Sequence, residues 1–565
     1  MRAEESQTSI PVSRPESPGE SGWFDREVAW LRTDAQKARW VILAIFCILI
    51  LYLIALATFA TGPVNVFHND PLWMLDNGWR VLNGQVPHRD FYSPLGPLEY
   101  GILAGGMLLA KGGAQGLAIG FAGFALLIGI WGWLLSRKRL PAPLALLGII
   151  WLVFAAVSPT PLGFTPEFLS CAMIHNREAY ALLGLILIEC SFARRNATFW
   201  SGLSSGAALI LLAFLKLNFF GVAGLMLLAS VPVARVELPR LWGALAGAAG
   251  TFLGFSLYPR FSLLAFFSDM GFVARAHAPL TLAATIAGTI TCAKAGAVWL
   301  VLAMIVAIIA IEAPVTRWRR QTLTLTALTF IVLASGPLFV QMNSLENRCQ
   351  LAPLLIIILL DPISIAHSQT KNKLLTVVLV GLSIGSIATA LIPNFISTFN
   401  LLSDQSQAAK AGGARIAASG MENVRFYNST SFYDHVEAGD GDGTYYANCV
   451  NDGLTLLENQ SRPTESVLVL GFINPFSYLL RRKPAEGGSS FLFLTTSITE
   501  NHMPPVDRVF GNADLMMLPE YEGTHRASDQ FIQDYYRSYL LENFHFVAKS
   551  QRWSLYRRNR SPESH

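Results

Sequence analysis

The sequence predicts a polytopic α-helical membrane protein with about 11 transmembrane helices, followed by a soluble α/β domain. Charged residues make up only 14% of the 565 residues and hydrophobic residues 52%, whereas about 25% of the residues in ordinary soluble domains are charged. The apolar residues fall in runs long enough to cross a bilayer, which takes about 20 residues. This composition excludes a cytosolic enzyme, a disordered chain and a nucleic-acid binder, despite the net charge of +4.

The chain is predicted to consist of three parts. Residues 1–38 are rich in Ser, Pro and Glu, which indicates a disordered cytoplasmic tail with no cleavable signal peptide before it. Residues 39–398 contain the spans, with a first outer loop at 62–113, and residues 399–565 form the α/β domain. The spans are expected near 40–61, 114–135, 142–158, 179–193, 199–215, 217–234, 241–257, 291–312, 322–340, 350–366 and 374–396.

The basic residues between the spans predict the orientation, because Lys and Arg gather on the cytoplasmic side. With the N-terminus inside, every basic cluster falls inside, provided that the apolar stretch 98–110 lies on or dips into the outer surface. The C-terminal domain is then outside an inner membrane, in the periplasm. The clusters are Arg137-Lys138-Arg139, Arg194-Arg195, Arg235 with Arg240, Arg317 with Arg319-Arg320, and Lys371 with Lys373.

Alternating strand-like and helix-like runs predict the α/β fold of the C-terminal domain. It has no nucleophile elbow, Walker loop or Rossmann glycine fingerprint. We expect it to cover an active site or help to bind an acceptor, or else to be a structural cap. The predicted strands are Val424–Tyr427, Ser466–Phe472 and His545–Tyr556, and the predicted helices are Tyr446–Asn459, Asn474–Arg481 and Asp529–Asn543.

The first outer loop is the candidate site. Three Asp, two His, two Arg and one Glu lie between Phe67 and Tyr100, interleaved with aromatic residues. An interfacial loop also collects charges and aromatics. However, a turn-rich stretch of about 35 residues in a compact domain is usually functional.

This loop resembles that of the GT-C superfamily of polyprenyl-phosphate-sugar-dependent glycosyltransferases. Within it, the similarity is to bacterial protein mannosyltransferase-like enzymes of the dolichyl-phosphate-mannose type and to lipid A aminoarabinose transferases. Such enzymes carry an early Asp, a helix that ends in Gly, and a Pro-rich turn before surface-lying helices. Asp70, Gly84 and Pro94-Leu95-Gly96-Pro97 follow that order, and the sequence HRDFY at 88–92 is similar to the family's YRDF. The resemblance covers roughly residues 40–400.

The resemblance implies an inverting hexosyl- or pentosyltransferase. It would move one sugar from a polyprenyl-phosphate carrier to an extracytoplasmic glycolipid, surface glycan or protein. A carboxylate that takes the acceptor's proton as general base typically contributes 10²–10⁴-fold. Asp70 is the candidate base, and Asp90 would orient sugar or acceptor, or be the base instead. Many relatives have Asp-Glu where this chain has Asp70-Pro71, so whether Asp70 suffices is open; Asp76 is interpreted as structural.

The leaving lipid phosphate needs cationic partners. Lys216 interrupts a long apolar run, although a lysine at an outer turn can also extend to the interface. Glu178 or Glu167 could supply a second carboxylate, although a helix N-terminus alone also favours Glu. The substrate-binding candidates are His68, His88, Arg89, Tyr92, His175, Arg177, Glu178, Lys216, Arg260, Arg275 and Arg348.

No cofactor is expected. His68, His88 and Asp90 near Asp70 leave a divalent metal as the alternative, but dense ligand spacing is missing. The resembled monophosphate-sugar enzymes need no metal. The six cysteines form no CxxC motif, so we expect buried free thiols, with a Cys171–Cys349 pair as the alternative.

Two other functions remain open. A transporter or flippase for a lipid-linked saccharide would place charges inside its spans and would show an internal repeat, whereas here the acids concentrate in outer loops. The other is a non-catalytic assembly protein with the same fold. Neither sugar nor acceptor can be read from the sequence.

Overall fold

The computed structural model describes residues 35–59, 63–137, 139–160, 169–191, 198–231, 238–257, 261–276, 324–332, 350–360, 391–403, 413–427, 443–494, 496–521 and 525–559, with single positions between 277 and 390. The predicted tail at 1–38 and the spans near 291–312 and 374–396 therefore lie largely outside the described residues. Contacts divide the chain into two units, Met1–Ile48 and Leu49–His565.

Long helices occupy the first half of the described chain. They are α1 (Ala35–Phe59), α2 (Asn69–Leu82), α3 (Pro97–Leu109), α4 (Gly116–Ser136), α5 (Ala142–Val157), α6 (Ile174–Ser191), α7 (Phe199–Leu215), α8 (Leu217–Ser230), α9 (Leu238–Ser256) and α10 (Leu263–Ala276). Helices are confirmed at the first seven predicted spans, which correspond to α1 and α4 to α9. The sequence did not predict α10.

The number of membrane crossings stays a prediction. Within the described residues, α4 is the one helix of at least 18 residues that is apolar enough to cross a bilayer. Shorter apolar helices lie at Ile42–Thr58, Pro97–Leu109, Ala142–Val157, Phe199–Leu215 and Leu217–Ser230. Further helical stretches lie at 324–332, 352–360 and 391–403, and the last of these runs past the predicted domain boundary at 399.

Local sequence explains the bounds of α2. Asp70 lies in its first turn, where a negative charge suits the helix dipole, and Pro71 is tolerated there because first-turn amides have no helical partner. The helix ends at Leu82, and Gly84 follows with φ of +84°, a conformation that favours glycine. The predicted helix ending in Gly84 is confirmed.

The C-terminal part contains a four-stranded sheet in the order β3-β4-β6-β5, in which β3 and β4 are parallel and the other pairs antiparallel. The strands are β3 (Val467–Val469), β4 (Leu515–Pro519), β5 (Phe544–Lys549) and β6 (Trp553–Arg558). The helices are α11 (Gly443–Gln460), α12 (Phe476–Leu479), α13 (Val506–Phe510) and α14 (Arg526–Asn543).

Two strand predictions need correction. The single strand predicted at His545–Tyr556 is wrong, because the chain reverses between β5 and β6. Asp452 stabilises this turn by accepting hydrogen bonds from Ser550 Oγ at 2.6 Å and the Arg552 amide at 3.0 Å. The predicted strand Val424–Tyr427 exists as β2 (Arg425–Phe426), but it pairs in parallel with β1 (Pro63–Val64) of the first outer loop instead of joining the sheet.

The first outer loop and the C-terminal domain share a core. Tyr92 is buried among the side chains of that domain, and its hydroxyl donates to the Ser497 carbonyl at 2.9 Å. Arg80 is fully buried, pairs with Asp76 at 2.9 Å and donates to the Gly487 carbonyl at 3.0 Å. Both Tyr92 and Arg80 therefore attach the loop to the C-terminal domain. Asp76 is structural, as predicted, because it pairs with the buried Arg80.

Candidate active site

Asp70 lies at the first turn of α2, where two other elements meet it. The positive charge of Arg177, in α6, stabilises the ionised Asp70 carboxylate. Tyr446, in α11, lies close enough for the charge of Asp70 to raise the pKa of its hydroxyl. Two residues before Asp70, the ring of His68 stacks on Tyr446 with centroids 6.2 Å apart. The candidate base thus lies between the helical domain and the C-terminal domain.

The Asp70 carboxylate is half-buried, and within the described ranges no side chain donates a hydrogen bond to it. Burial raises the pKa of Asp70 to about 7, and the charge of Arg177 lowers it in part. A carboxylate with this pKa changes protonation state near neutral pH, which suits a general base.

Arg177 shapes the site by binding backbone carbonyl groups between α5 and α6. It is fully buried at the start of α6. Its charge remains next to Asp70 while its Nη1 and Nη2 groups donate to backbone carbonyl oxygens. The acceptors are the carbonyl oxygens of Ser158, Thr160, Ser170 and Ala172.

Glu178, a predicted substrate-binding residue, is fully buried and faces Glu99 of α3. The two carboxyl groups share a hydrogen bond with each other, and no other donor group in the described part of the chain reaches them. Burial raises the pKa of Glu99, which favours its protonated form. The sequence analysis missed Glu99, although a lone acid in the apolar stretch 98–110 was a usable signal.

Lys216 reaches the same region from the break between α7 and α8. Its backbone is extended, with φ of −154° and ψ of 113°, which ends one helix before the next begins. Its ammonium donates to Asn176 Oδ1 and lies 5.9 Å from the Phe219 ring. Asn176 is flanked by His175 and Arg177, so three substrate-binding candidates meet at the first turn of α6.

The remaining loop candidates lie at the junction with the C-terminal domain. His88 is fully buried at φ of +70°, and its Nδ1 lies 3.0 Å from Asp269 of α10. Asp269 also accepts a hydrogen bond from Arg508 at 3.1 Å. Asp269 and Arg508 were not predicted; a lone acid in the apolar α10 was the available signal for the first.

Asp90 closes a local turn. Its carboxylate accepts from Arg89 Nε at 2.6 Å and from the Val86 amide at 2.7 Å, so both of its oxygens are engaged. The roles predicted for Asp90 and Arg89 stay predictions. His68 bonds the Tyr427 carbonyl through Nε2 at 3.0 Å.

The other cations do not join this group in the described structure. Arg275 is exposed at the end of α10 and donates to the carbonyl of Gly271 at 3.1 Å. Arg260, Arg348 and Glu167 lie outside the described residues. In the part of the chain that the structure describes, no group of three or more His, Cys, Asp or Glu could hold a metal ion.

An apolar pocket of about 420 Å³ lies between α2, α3 and α9. Val81 lines it, eleven residues after Asp70, which places the pocket roughly 16 Å along α2 at 1.5 Å per residue. The remaining lining residues are Pro87, Pro97, Leu98, Gly101, Thr251, Gly254, Phe255 and Phe261.

Comparison with known proteins gives a limited result. No family model and no curated protein matches this sequence. The crystal structure of ArnT from Cupriavidus metallidurans in the apo state matches with 12% identity and a TM-score of 0.37, over 92% of this chain and 98% of that chain. The same protein bound to undecaprenyl phosphate matches with 13% identity and a TM-score of 0.39, over 92% and 97% of the two chains. Both TM-scores are low, so this similarity alone establishes neither fold nor function.

Proposed function

We propose that this protein is a multi-pass membrane glycosyltransferase of the inverting, GT-C-like kind. It moves one hexose or pentose from a polyprenyl-phosphate carrier to an acceptor on the extracytoplasmic face of the inner membrane, without a metal or other cofactor. The bonds and the proton of this reaction balance. The acceptor oxygen forms a bond to the anomeric carbon, the bond from that carbon to the phosphate oxygen breaks, and the acceptor proton passes to Asp70.

The observation that carries the proposal is the state of Asp70. Its carboxylate is half-buried at the meeting point of α2, α6 and α11, and no described side chain donates to it. A structural aspartate at a helix start would normally cap backbone amides or pair with a cation. Asp90 shows that contrast, because its oxygens accept hydrogen bonds from Arg89 and Val86.

The cationic region beside Asp70 suits a phosphate. Lys216 and Arg177 are brought to the first turn of α6, where burial strengthens their field. Lysine binds phosphate as a point charge and can exchange its Asn176 contact for a phosphate oxygen. These residues would stabilise the charge that develops on the leaving group.

The pocket beside Val81 suits the carrier. Its lining is almost entirely apolar, and isoprenoid units are apolar and branched. A lipid whose first units occupy this pocket could present its sugar phosphate toward Asp70, roughly 16 Å along the same helix. The pocket therefore supports a lipid-borne donor over a soluble nucleotide sugar.

The test is transfer from a radiolabelled polyprenyl-phosphate sugar to native membranes by purified full-length enzyme. We expect Asp70→Asn to reduce transfer by about 10²–10⁴-fold. Asp534→Asn, on the exposed face of α14, is the matched control and should transfer like the wild type.

Asp90→Asn separates the two candidate bases. If Asp70 is the base, Asp90→Asn loses less activity than Asp70→Asn, because Asp90 supports the loop. Normal transfer by Asp70→Asn would exclude Asp70 as the base, and loss in Asp90→Asn alone would move that role to Asp90.

A further inference from the structure

A band of aromatic rings runs from α2 into the C-terminal domain, and the function proposed above does not use it. We call it the ring strip, and it consists of Trp73, His175, Phe472, Phe491, Phe493 and His525. The centroid distances are 6.4 Å for Trp73–His175, 5.6 Å for Trp73–Phe491, 6.1 Å for Phe472–Phe491, 3.8 Å for Phe472–His525 and 5.1 Å for Phe493–His525.

Three ring nitrogens of the strip lack a partner. Trp73 Nε1, His175 Nδ1 and His525 Nδ1 are buried and form no hydrogen bond with any residue that the structure describes. Buried polar groups are nearly always paired, since an unmet hydrogen bond is costly. Three such atoms in one aromatic band can be satisfied by the polar groups of a ligand.

The protonation state of His525 adds to this chemistry. Burial lowers the pKa of His525 to about 4, so its ring is neutral at pH 7. A neutral imidazole has one donor and one acceptor nitrogen, and the Trp73 indole is a donor only. Together they can bond hydroxyl groups, which both donate and accept.

The strip adjoins the candidate base. Trp73 is three residues after Asp70, so the two side chains lie on neighbouring positions of one helix face. Phe472, Phe491 and Phe493 are half-buried on the C-terminal domain side and keep part of their rings accessible. The apolar pocket proposed for the carrier lies toward the other end of α2, at Val81.

We propose that the ring strip binds a sugar ring of the acceptor, so that the acceptor is a glycan or the saccharide headgroup of a glycolipid. This inference rests on the proposed glycosyltransferase function. One face of a sugar ring presents C–H groups that pack against aromatic rings, and its hydroxyls reach the three unpartnered nitrogens. The attacking hydroxyl would then lie within reach of Asp70.

Saturation-transfer NMR on the full-length protein in lipid nanodiscs tests this directly. The probes are the methyl glycosides of glucose, N-acetylglucosamine and mannose, and a Ser/Thr-containing octapeptide. We expect at least one glycoside to receive saturation at its ring protons. Phe491→Ala, and Trp73→Phe, which keeps an aromatic ring but loses the indole N–H and part of the ring surface, should each weaken its Kd about fivefold, the change that corresponds to about 1 kcal/mol.

Phe546→Ala is the control, since this ring is 54% exposed on β5, outside the strip. It should bind the glycoside like the wild type, and a cooperative thermal transition in every variant shows that they are folded. The inference is overturned if no glycoside binds, if the strip variants bind like the wild type, or if the peptide binds in a way that needs Phe491.

The outcome is separable from that of the proposed function. Glycoside binding is measured without a donor, so its dependence on the ring strip is read independently of transfer. Loss of transfer in Asp70→Asn, together with glycoside binding that does not depend on the ring strip, would support the proposed glycosyltransferase function and exclude the ring strip as the acceptor site. Normal transfer in Asp70→Asn, together with glycoside binding that depends on the ring strip, would exclude Asp70 as the general base and support the ring strip as a saccharide site.

Discussion

Replacing Asp70 by Asn should stabilise the folded protein at neutral pH, because the wild type must ionise a buried carboxyl there. Burial raises the pKa of Asp70 from its ordinary 3.8 to about 7 in the folded state. The folded protein therefore binds this proton more tightly than the unfolded chain, and the folding free energy contributed by Asp70 becomes less favourable as the pH rises from about 4 to about 7. Above about pH 7 the destabilisation by the ionised Asp70 no longer changes with pH.

The magnitude follows from the two pKa values. Each tenfold change in proton affinity corresponds to about 1.4 kcal/mol, which sets an upper limit of about 4 kcal/mol. Because Asp70 is only half-buried, water screens part of this cost, and we expect about 2 kcal/mol.

The assay is thermal unfolding of the full-length protein in detergent micelles across this pH range. The melting temperature of Asp70→Asn relative to the wild type should be nearly unchanged at about pH 4 and should rise to a plateau above about pH 7. Asp534→Asn, at an exposed position of α14, is the control variant measured beside it. A difference that is constant with pH, or a wild type that is the more stable protein at about pH 8, would refute the reasoning.

Three further changes probe the pocket and the loop supports. Gly101→Leu should fill the apolar pocket and raise the KM for the carrier-linked donor about tenfold. It should not lower the melting temperature, because a Cβ there meets no atom within 4 Å. The control Gly105→Leu, which is equally open but outside the pocket lining, should leave KM unchanged, and equal KM values for the two variants would exclude the pocket as the carrier site. Gly96→Ala should destabilise by about 1–3 kcal/mol, since its Cβ would lie 2.0 Å from the Phe214 carbonyl oxygen, and an unchanged melting temperature would contradict that contact. Arg80→Gln should lower the free energy of unfolding by about 3–5 kcal/mol, because it leaves the buried Asp76 carboxylate without its cation. The measurement is limited proteolysis, in which the C-terminal domain should be cleaved faster, and a wild-type cleavage rate would contradict the prediction.

Local patterns in the sequence predicted the local structure. The family resemblance predicted a helix between Asp70 and Gly84, and α2 fills this stretch, with its bounds explained by dipole and αL preferences that act over a few residues. Apolar run length predicted the helices at α1 and α4 to α9. Lys216 was expected at a turn between two helices, and it lies in an extended break between α7 and α8.

Long-range partners could not be predicted in the same way. His88 meets Asp269, and Glu99 faces Glu178, because the helices bring distant segments together. No local preference encodes such a pairing. The β5–β6 turn was also missed; Ser550 supports it locally by accepting a hydrogen bond from the Trp553 amide at 3.1 Å, and the distant Asp452 adds two further hydrogen bonds.

The candidate site shows the same division. Lys216 was predicted from its charge in an apolar run, and His175 and Arg177 were substrate-binding candidates; the three meet at one turn of α6. Tyr446 was not predicted, because its approach to Asp70 depends on how the C-terminal domain meets the first outer loop.

The pH dependence of single-turnover transfer from a polyprenyl-phosphate sugar tests the central claim most directly. Transfer by the wild type should rise tenfold per pH unit below an apparent pKa of about 7 and level off above it, because only ionised Asp70 accepts the proton. The residual transfer of Asp70→Asn should lack this rise. A wild-type rate that is flat between about pH 5 and pH 8, or a rise that persists in Asp70→Asn, would contradict the claim that Asp70 is the base.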